Sequence, residues 1–126
     1  MDKTLLIKQE VIDSILTYAK MCHPRECILL LRGREAKDKI EINEVEIPPF
    51  STHGEHFASF PLNMLPIDLS VKGTAHSHPS GVLKPSGVDL NKFYGRVVII
   101  AAHPYDSEEN LAAFNRTGNT IKYQIV

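Results

Sequence analysis

Apolar positions along this chain follow two rhythms, and the changes between them outline its elements. From residue 6 to 19, Ile7, Val11, Ile12, Ile15, Leu16 and Ala19 recur at spacings of three and four, which predicts an amphipathic helix. Pro24 cannot continue it. The apolar run 27–31 is too short for a buried helix and predicts a buried strand, with Gly33 opening a turn through the charged stretch 34–39. Residues 40–47 alternate apolar and polar with period two, so they predict the half-exposed second strand of a hairpin, ended by Pro48 and Pro49.

The second half is read the same way. Residues 48–56 predict an irregular loop, 57–60 a short strand, and 61–69 a helix that Pro66 bends or divides. Residues 69–75 have strand character, and the strongly apolar run 96–102 suits a central strand buried on both faces. Turn chemistry fills 104–110, after which 111–115 and 121–126 flank a hairpin loop where Gly118 supplies the positive φ. There is no internal repeat or low-complexity segment. The sum is an α/β chain, a mixed sheet with helices packed against it (α+β in the looser sense).

Composition narrows the partners more than the fold. At 126 residues there is room for one core, so a single domain spanning 1–126 is expected. A formal net charge of -1 gives no electrostatic footprint for nucleic acid or an anionic membrane surface, so neither is expected as a partner. Met1-Asp2-Lys3 opens no basic-then-apolar leader, and no stretch reaches the length of a membrane span, which predicts a soluble, cytoplasmic protein. Cys22 and Cys27 are too few for a disulfide framework; a bridge between these two stays open, as does a homodimer. A thiol protease built on Cys22 and His23 is disfavoured, because adjacent residues at a helix end point in different directions.

The chemistry concentrates between residues 73 and 89. His76 and His78, two apart on a strand, project from one face, so two imidazoles converge. Pro85 suits the first turn of a helix on which Ser86 and Asp89, three apart, turn back toward the histidines. Two His and one carboxylate are three good zinc ligands, and three rather than four leave a position for water, the arrangement hydrolases use. Taken singly the parts have blander uses: Ser86-x-x-Asp89 also fits a helix cap, and each His fits an ordinary partly buried imidazole. A further group, His53-Gly-Glu55-His56, lacks the helical-turn spacing of the HExxH zincins and reads as loop, with a substrate-side role as the lesser alternative.

The pattern His-Ser-His-Pro, then Pro85-Ser86 and Asp89, resembles the zinc signature of the JAMM/MPN+ metalloproteases. That family also carries an upstream Glu, and here Pro24-Arg25-Glu26-Cys27-Ile28-Leu29-Leu30-Leu31-Arg32-Gly33 matches the context. The resemblance spans nearly the whole chain. It implies the MPN fold, a cytidine-deaminase-like α-β-α sandwich, with one zinc ion held by His76, His78 and Asp89. It also implies that Glu26 is the general base and that Ser86 donates to the oxyanion. From its own surroundings Glu26 would read as a surface carboxylate at a helix-strand junction, so its role comes from the resemblance. The implied activity is hydrolysis of isopeptide or peptide bonds after the C-terminal Gly-Gly of ubiquitin-like modifiers or sulfur-carrier proteins. Short members of this kind resemble the archaeal and prokaryotic type, for which weak linkage selectivity is expected. A non-catalytic MPN interaction scaffold and a nucleic-acid repair accessory of a related fold are the alternatives.

Overall fold

The computed structural model describes residues 3–48, 52–53, 58–59, 69–91 and 93–126. Its elements are β1 (Thr4–Ile7), α1 (Gln9–Cys22), β2 (Ile28–Glu35), β3 (Lys39–Glu46), β4 (Thr52–His53) and β5 (Ala58–Ser59). They continue with β6 (Val71–His78), α2 (Gly87–Asn91), β7 (Val97–Ala102), β8 (Leu111–Phe114), β9 (Thr120–Ile121) and β10 (Tyr123–Ile125). Eight strands form one mixed sheet in the order β10-β1-β3-β2-β6-β7-β8-β9, and β4 pairs with β5 in a small sheet of their own. Among the described residues no helix is long and apolar enough to cross a membrane.

Alternation along the strands divides the core between the two faces of the sheet. Leu29, Leu31, Ala75, Val97, Ile99 and Ala101 pack with Val11, Ile12, Ile15 and Ala19 of α1. On the opposite face Ile28, Leu30 and Val71 form one cluster, and Phe93, Val98, Ile100 and Phe114 form another with Leu83 and Leu90. β7 is buried along its whole length, as its unbroken apolar run predicts. It runs parallel to β6 and antiparallel to β8.

Several boundaries differ from the sequence reading, each for a physical reason. Leu6 and Ile7 do not begin the helix; they belong to β1, which lies between the parallel strands β3 and β10. Leu5 and Ile7 face inward with a period of two that the helical spacing starting at Ile7 conceals. Gly33 does not open a turn either. It sits inside β2 at an irregularity in the pairing with β3, where a Cβ would come within 1.7 Å of the Glu41 carbonyl oxygen. The stretch 121–126 is two strands rather than one: β9 pairs with β8 across the Gly118 turn, while β10 crosses to β1. Pro85 lies ahead of α2 rather than in its first turn. The short strand expected over 57–60 is present as β5, and β4 interrupts the expected 48–56 loop. The helix expected over 61–69 falls, apart from residue 69, outside the described residues.

The close approach at Gly33 predicts a steric effect on stability. Gly33→Ala must push the Glu41 backbone aside and should lower unfolding free energy by about 3 kcal/mol or more. Gly87→Ala, with nothing within 4 Å of its Cβ, should be neutral or slightly stabilising. Denaturant midpoints of the two variants check this, and equal midpoints would contradict the close-approach account.

Candidate metal centre

β6 delivers the two histidines. His76 is opposite Ile28 of β2 and level with Ile100 of β7, so its ring lies on the face of those residues, and His78 follows two residues later on the same face. Ser77 between them points to the α1 face with Ala75. After His78 the chain turns sharply: the His78 carbonyl accepts from the N–H of both Gly81 and His103 at 3.1 Å. Gly81 has φ of 84°. This turn brings the Val82 carbonyl to 2.9 Å from His78 Nδ1 and leads the chain back toward α2.

Asp89 closes the group from α2. Its Oδ1 lies 3.4 Å from His76 Nδ1 and its Oδ2 3.0 Å from His78 Nε2. Ser86 and Asp89 exchange two further hydrogen bonds: the Ser86 N–H donates to Asp89 Oδ2 at 2.8 Å, and the Asp89 N–H donates to Ser86 Oγ at 3.1 Å. The helix cap and the metal-ligand pattern read from the sequence are therefore one structure, since the cap aims the carboxylate. The Ser86 hydroxyl proton is not used by that cap. His76, His78 and Asp89 are each only 7% exposed.

Burial and neighbours act differently on each group. Burial alone would raise Asp89, but the His78 hydrogen bond, the His76 ring and the Ser86 N–H together hold its carboxyl at about 2. Burial pushes His76 down to about 4, so at neutral pH it is an uncharged imidazole. His78 also suffers burial, yet the Asp89 carboxylate, the Val82 carbonyl and the Glu26 charge raise it. Glu26, just ahead of β2, is half-buried; burial raises its carboxyl to about 7, with His78 opposing and Asp89 adding to the rise. These couplings put Glu26 in the electrostatic company of His78 and Asp89, where its sequence position alone suggests a surface carboxylate.

The donor set fits a divalent zinc ion in its chemistry. The Val82 carbonyl accepts from His78 Nδ1, which leaves Nε2, in contact with Asp89 Oδ2, as the nitrogen a zinc ion would take in place of its proton, the outer-shell device that orients metal-bound imidazoles. His76 Nε2 lies 3.2 Å from Thr74 Oγ1; the tautomer that donates there turns a bare Nδ1 toward Asp89 Oδ1. In the other tautomer Thr74 donates to Nε2 and the ring donates to Asp89, so in both cases Nδ1 is the nitrogen turned toward the carboxylate. Among the described residues no three such side chains are spread around a common centre; here the donors touch one another. A cation held by them would replace the proton that His78 and Asp89 share.

Glu26, His76, His78, Ser86 and Asp89, the five residues the resemblance assigns to the site, lie together at one end of the sheet. His53 lies in β4, and the rest of the His53-to-His56 group lies outside the described residues. Cys22 and Cys27 are free thiols, Cys27 buried. The Val82 carbonyl was not legible in the sequence, because backbone acceptors carry no residue signature.

The prokaryotic homologs of the JAB domain match residues 8–116. A probable metalloprotease of Haloferax volcanii is 35% identical over 119 residues, covering 89% of this chain and 73% of its own length. Among solved structures, one described as "JAMM: a metalloprotease-like zinc site in the proteasome and signalosome" is 31% identical with a TM-score of 0.69. That similarity covers 98% of this chain and 99% of the other. A JAB1/MPN domain protein from Archaeoglobus fulgidus is 36% identical with a TM-score of 0.67, covering 95% and 97% of the two chains. A Desulfitobacterium hafniense protein at 18% identity and a TM-score of 0.64 shares the fold, with 98% of this chain and 92% of its own covered. With the family match running through α1, the histidine strand and α2, this chain belongs to the prokaryotic homologs of the JAB domain, within the JAMM/MPN family.

Proposed function

We propose that this chain is a zinc-dependent isopeptidase and peptidase that cleaves after the C-terminal Gly-Gly of ubiquitin-like modifier or sulfur-carrier proteins, freeing them from lysine conjugates or linear fusions. One observation carries the hydrolytic part: a buried His-His-Asp donor set with a half-buried carboxylate, Glu26, raised to about 7 beside it. The metalloprotease name of the Haloferax relative supports the same class. The diglycine substrate is supported by the resemblance to JAMM/MPN+ enzymes, and residues 1–126 are taken as one domain carrying the whole site.

In this reading His76, His78 and Asp89 hold one zinc ion, which when bound supplies Lewis-acid polarisation of the scissile carbonyl and acidification of water. Glu26 does the proton work. Its carboxylate accepts the proton of the attacking water and then delivers it to the departing amine, and a carboxyl poised near neutrality serves both directions. Ser86, held by its exchange with Asp89, donates its free hydroxyl proton to the developing oxyanion. The diglycine tail lies extended beside a strand edge, for which the β4–β5 hairpin and the loop over 80–84 are the proposed partners.

A panel of variants separates these roles. His76→Ala, His78→Ala and Asp89→Ala should each lose zinc by metal analysis. Glu26→Gln should keep zinc and lose turnover, and Ser86→Ala should keep zinc and turn over roughly 10² to 10³ times more slowly. Stoichiometric zinc in His78→Ala would sink the ligand assignment.

The raised Glu26 carboxyl also sets a pH dependence. The working form is the carboxylate, so cleavage should rise with pH, and the limb should lie toward 7 rather than at the ordinary 4.5. A pH-rate profile flat between 5 and 8 would contradict the assignment of the base.

Substrate choice is tested with fusions of one ubiquitin-like protein bearing Gly-Gly, Gly-Ala or Ala-Gly tails. Cleavage should collapse when either glycine gains a Cβ, because a close-fitting groove leaves no room for it. Equal rates would indicate a broader peptidase.

A further inference from the structure

The residue between the two histidines faces away from the site, and its side chain makes an unusual rung. Where antiparallel partners exchange two backbone hydrogen bonds, Ser77 N–H donates to the Cys27 carbonyl at 3.1 Å, but Cys27 N–H donates to Ser77 Oγ at 2.8 Å instead of to the Ser77 carbonyl. The hydroxyl takes the place of a backbone acceptor. Regular pairing of β2 with β6 ends at Ile28 opposite His76, and the chain before it is set by this side chain.

Ser77 is itself held by other groups. It is 1% exposed, and its hydroxyl lies close enough to the Tyr105 phenol and the Cys27 thiol to hold each below where burial alone would put it. The hydroxyl oxygen accepts the Cys27 amide proton, and in so closed a place it has little freedom to turn away from it. Tyr105 is equally buried, at 1% exposed. Its backbone adopts φ of 60°, a left-handed conformation that a bulky residue keeps only when its surroundings enforce it. Those surroundings include the Ala102 carbonyl, which accepts its N–H at 3.0 Å, and His23 Nδ1, 3.4 Å from its hydroxyl.

Glu26 is joined to Cys27 by one planar peptide, so the position of the Cys27 nitrogen fixes where Glu26 leaves the sheet. Alternation then sends Cys27 to the α1 face and Glu26 to the face of the histidines. We propose that Ser77 and Tyr105 are positioning residues that set Glu26 against His78 and Asp89, acting from the opposite face of the sheet. The same strand thereby carries two metal-binding side chains forward and the register pin for the base behind. This inference rests on the metallopeptidase reading above.

The test compares Ser77→Ala, Ser77→Thr and Tyr105→Phe with the unaltered chain in two measurements: steady-state cleavage of a Gly-Gly fusion by zinc-loaded protein, and amide hydrogen exchange on metal-free protein. Ser77→Ala should retain zinc and KM and lose kcat on the order of 10²-fold, the scale of a small misplacement of a reacting group. Its Cys27 amide should exchange faster while the Leu30 amide, inside β2, keeps its protection. Tyr105→Phe should shift kcat the same way by less, and Ser77→Thr, which keeps a hydroxyl, should recover most of the loss. An unchanged kcat in Ser77→Ala alongside a deprotected Cys27 amide reduces the hydroxyl to a stabilising role and overturns the proposal. If Ser77→Ala does not fold, an unchanged kcat in Tyr105→Phe overturns it. Absence of any cleavage by the unaltered chain sinks the peptidase reading instead, and a rapidly exchanging Cys27 amide in that chain overturns the positioning independently.

Discussion

A carboxylate buried as deeply as Asp89 cannot remain charged without partners, and the arrangement of one end of this molecule follows from supplying them. Two imidazoles come from β6, an amide from the start of α2, and the turn after His78 exists to bring α2 within reach. Each partner has its own support. The Val82 carbonyl holds His78, and Thr74 contacts His76. Each of the three groups is thus oriented by a partner of its own as well as by contact with the others.

The same requirement explains the division of labour across the sheet. β6 is buried on both faces, so successive residues meet different environments: His76 and His78 face the α2 side, while Ser77 and Ala75 face the α1 core. A strand exposed on one face could not bury the two histidines and also hold the start of β2 from behind. Burial on both sides gives β6 two independent sets of contacts, and the neighbouring β7, parallel and apolar throughout, keeps it in place.

Legibility in the sequence tracked how local each signal was. The spacing of His76, His78, Ser86 and Asp89 encodes a strand, a turn and a helix start, and all three are set within fourteen residues, 76–89, by chain geometry. β7 was legible because burial on both faces leaves an unbroken apolar run. β1 was not, since Leu5 and Ile7 take their strand identity from β3 and β10, far along the chain. Gly33 has the composition of a turn and the position of a bulge, a distinction made by the Glu41 backbone eight residues away. Ser77 gave no signal, because its role is to accept a hydrogen bond from a residue fifty positions earlier. Glu26 was found through its family context; nothing in its immediate neighbours announces that burial raises it.

The crossing of the chain from β9 to β10 has a mechanical side. These strands occupy the two ends of the eight-stranded sheet, yet Lys122 alone separates them in sequence, so the sheet curls until its margins meet. β10 then lies parallel to β1. Tension applied ahead of Thr4 and beyond Ile125 pulls the two strands in opposite directions along their length, loading their hydrogen bonds together in shear rather than unzipping them singly. A molecular motor dragging on either end of this stretch would meet the sheet at its most resistant geometry, while a pull from a loop near α2 would not.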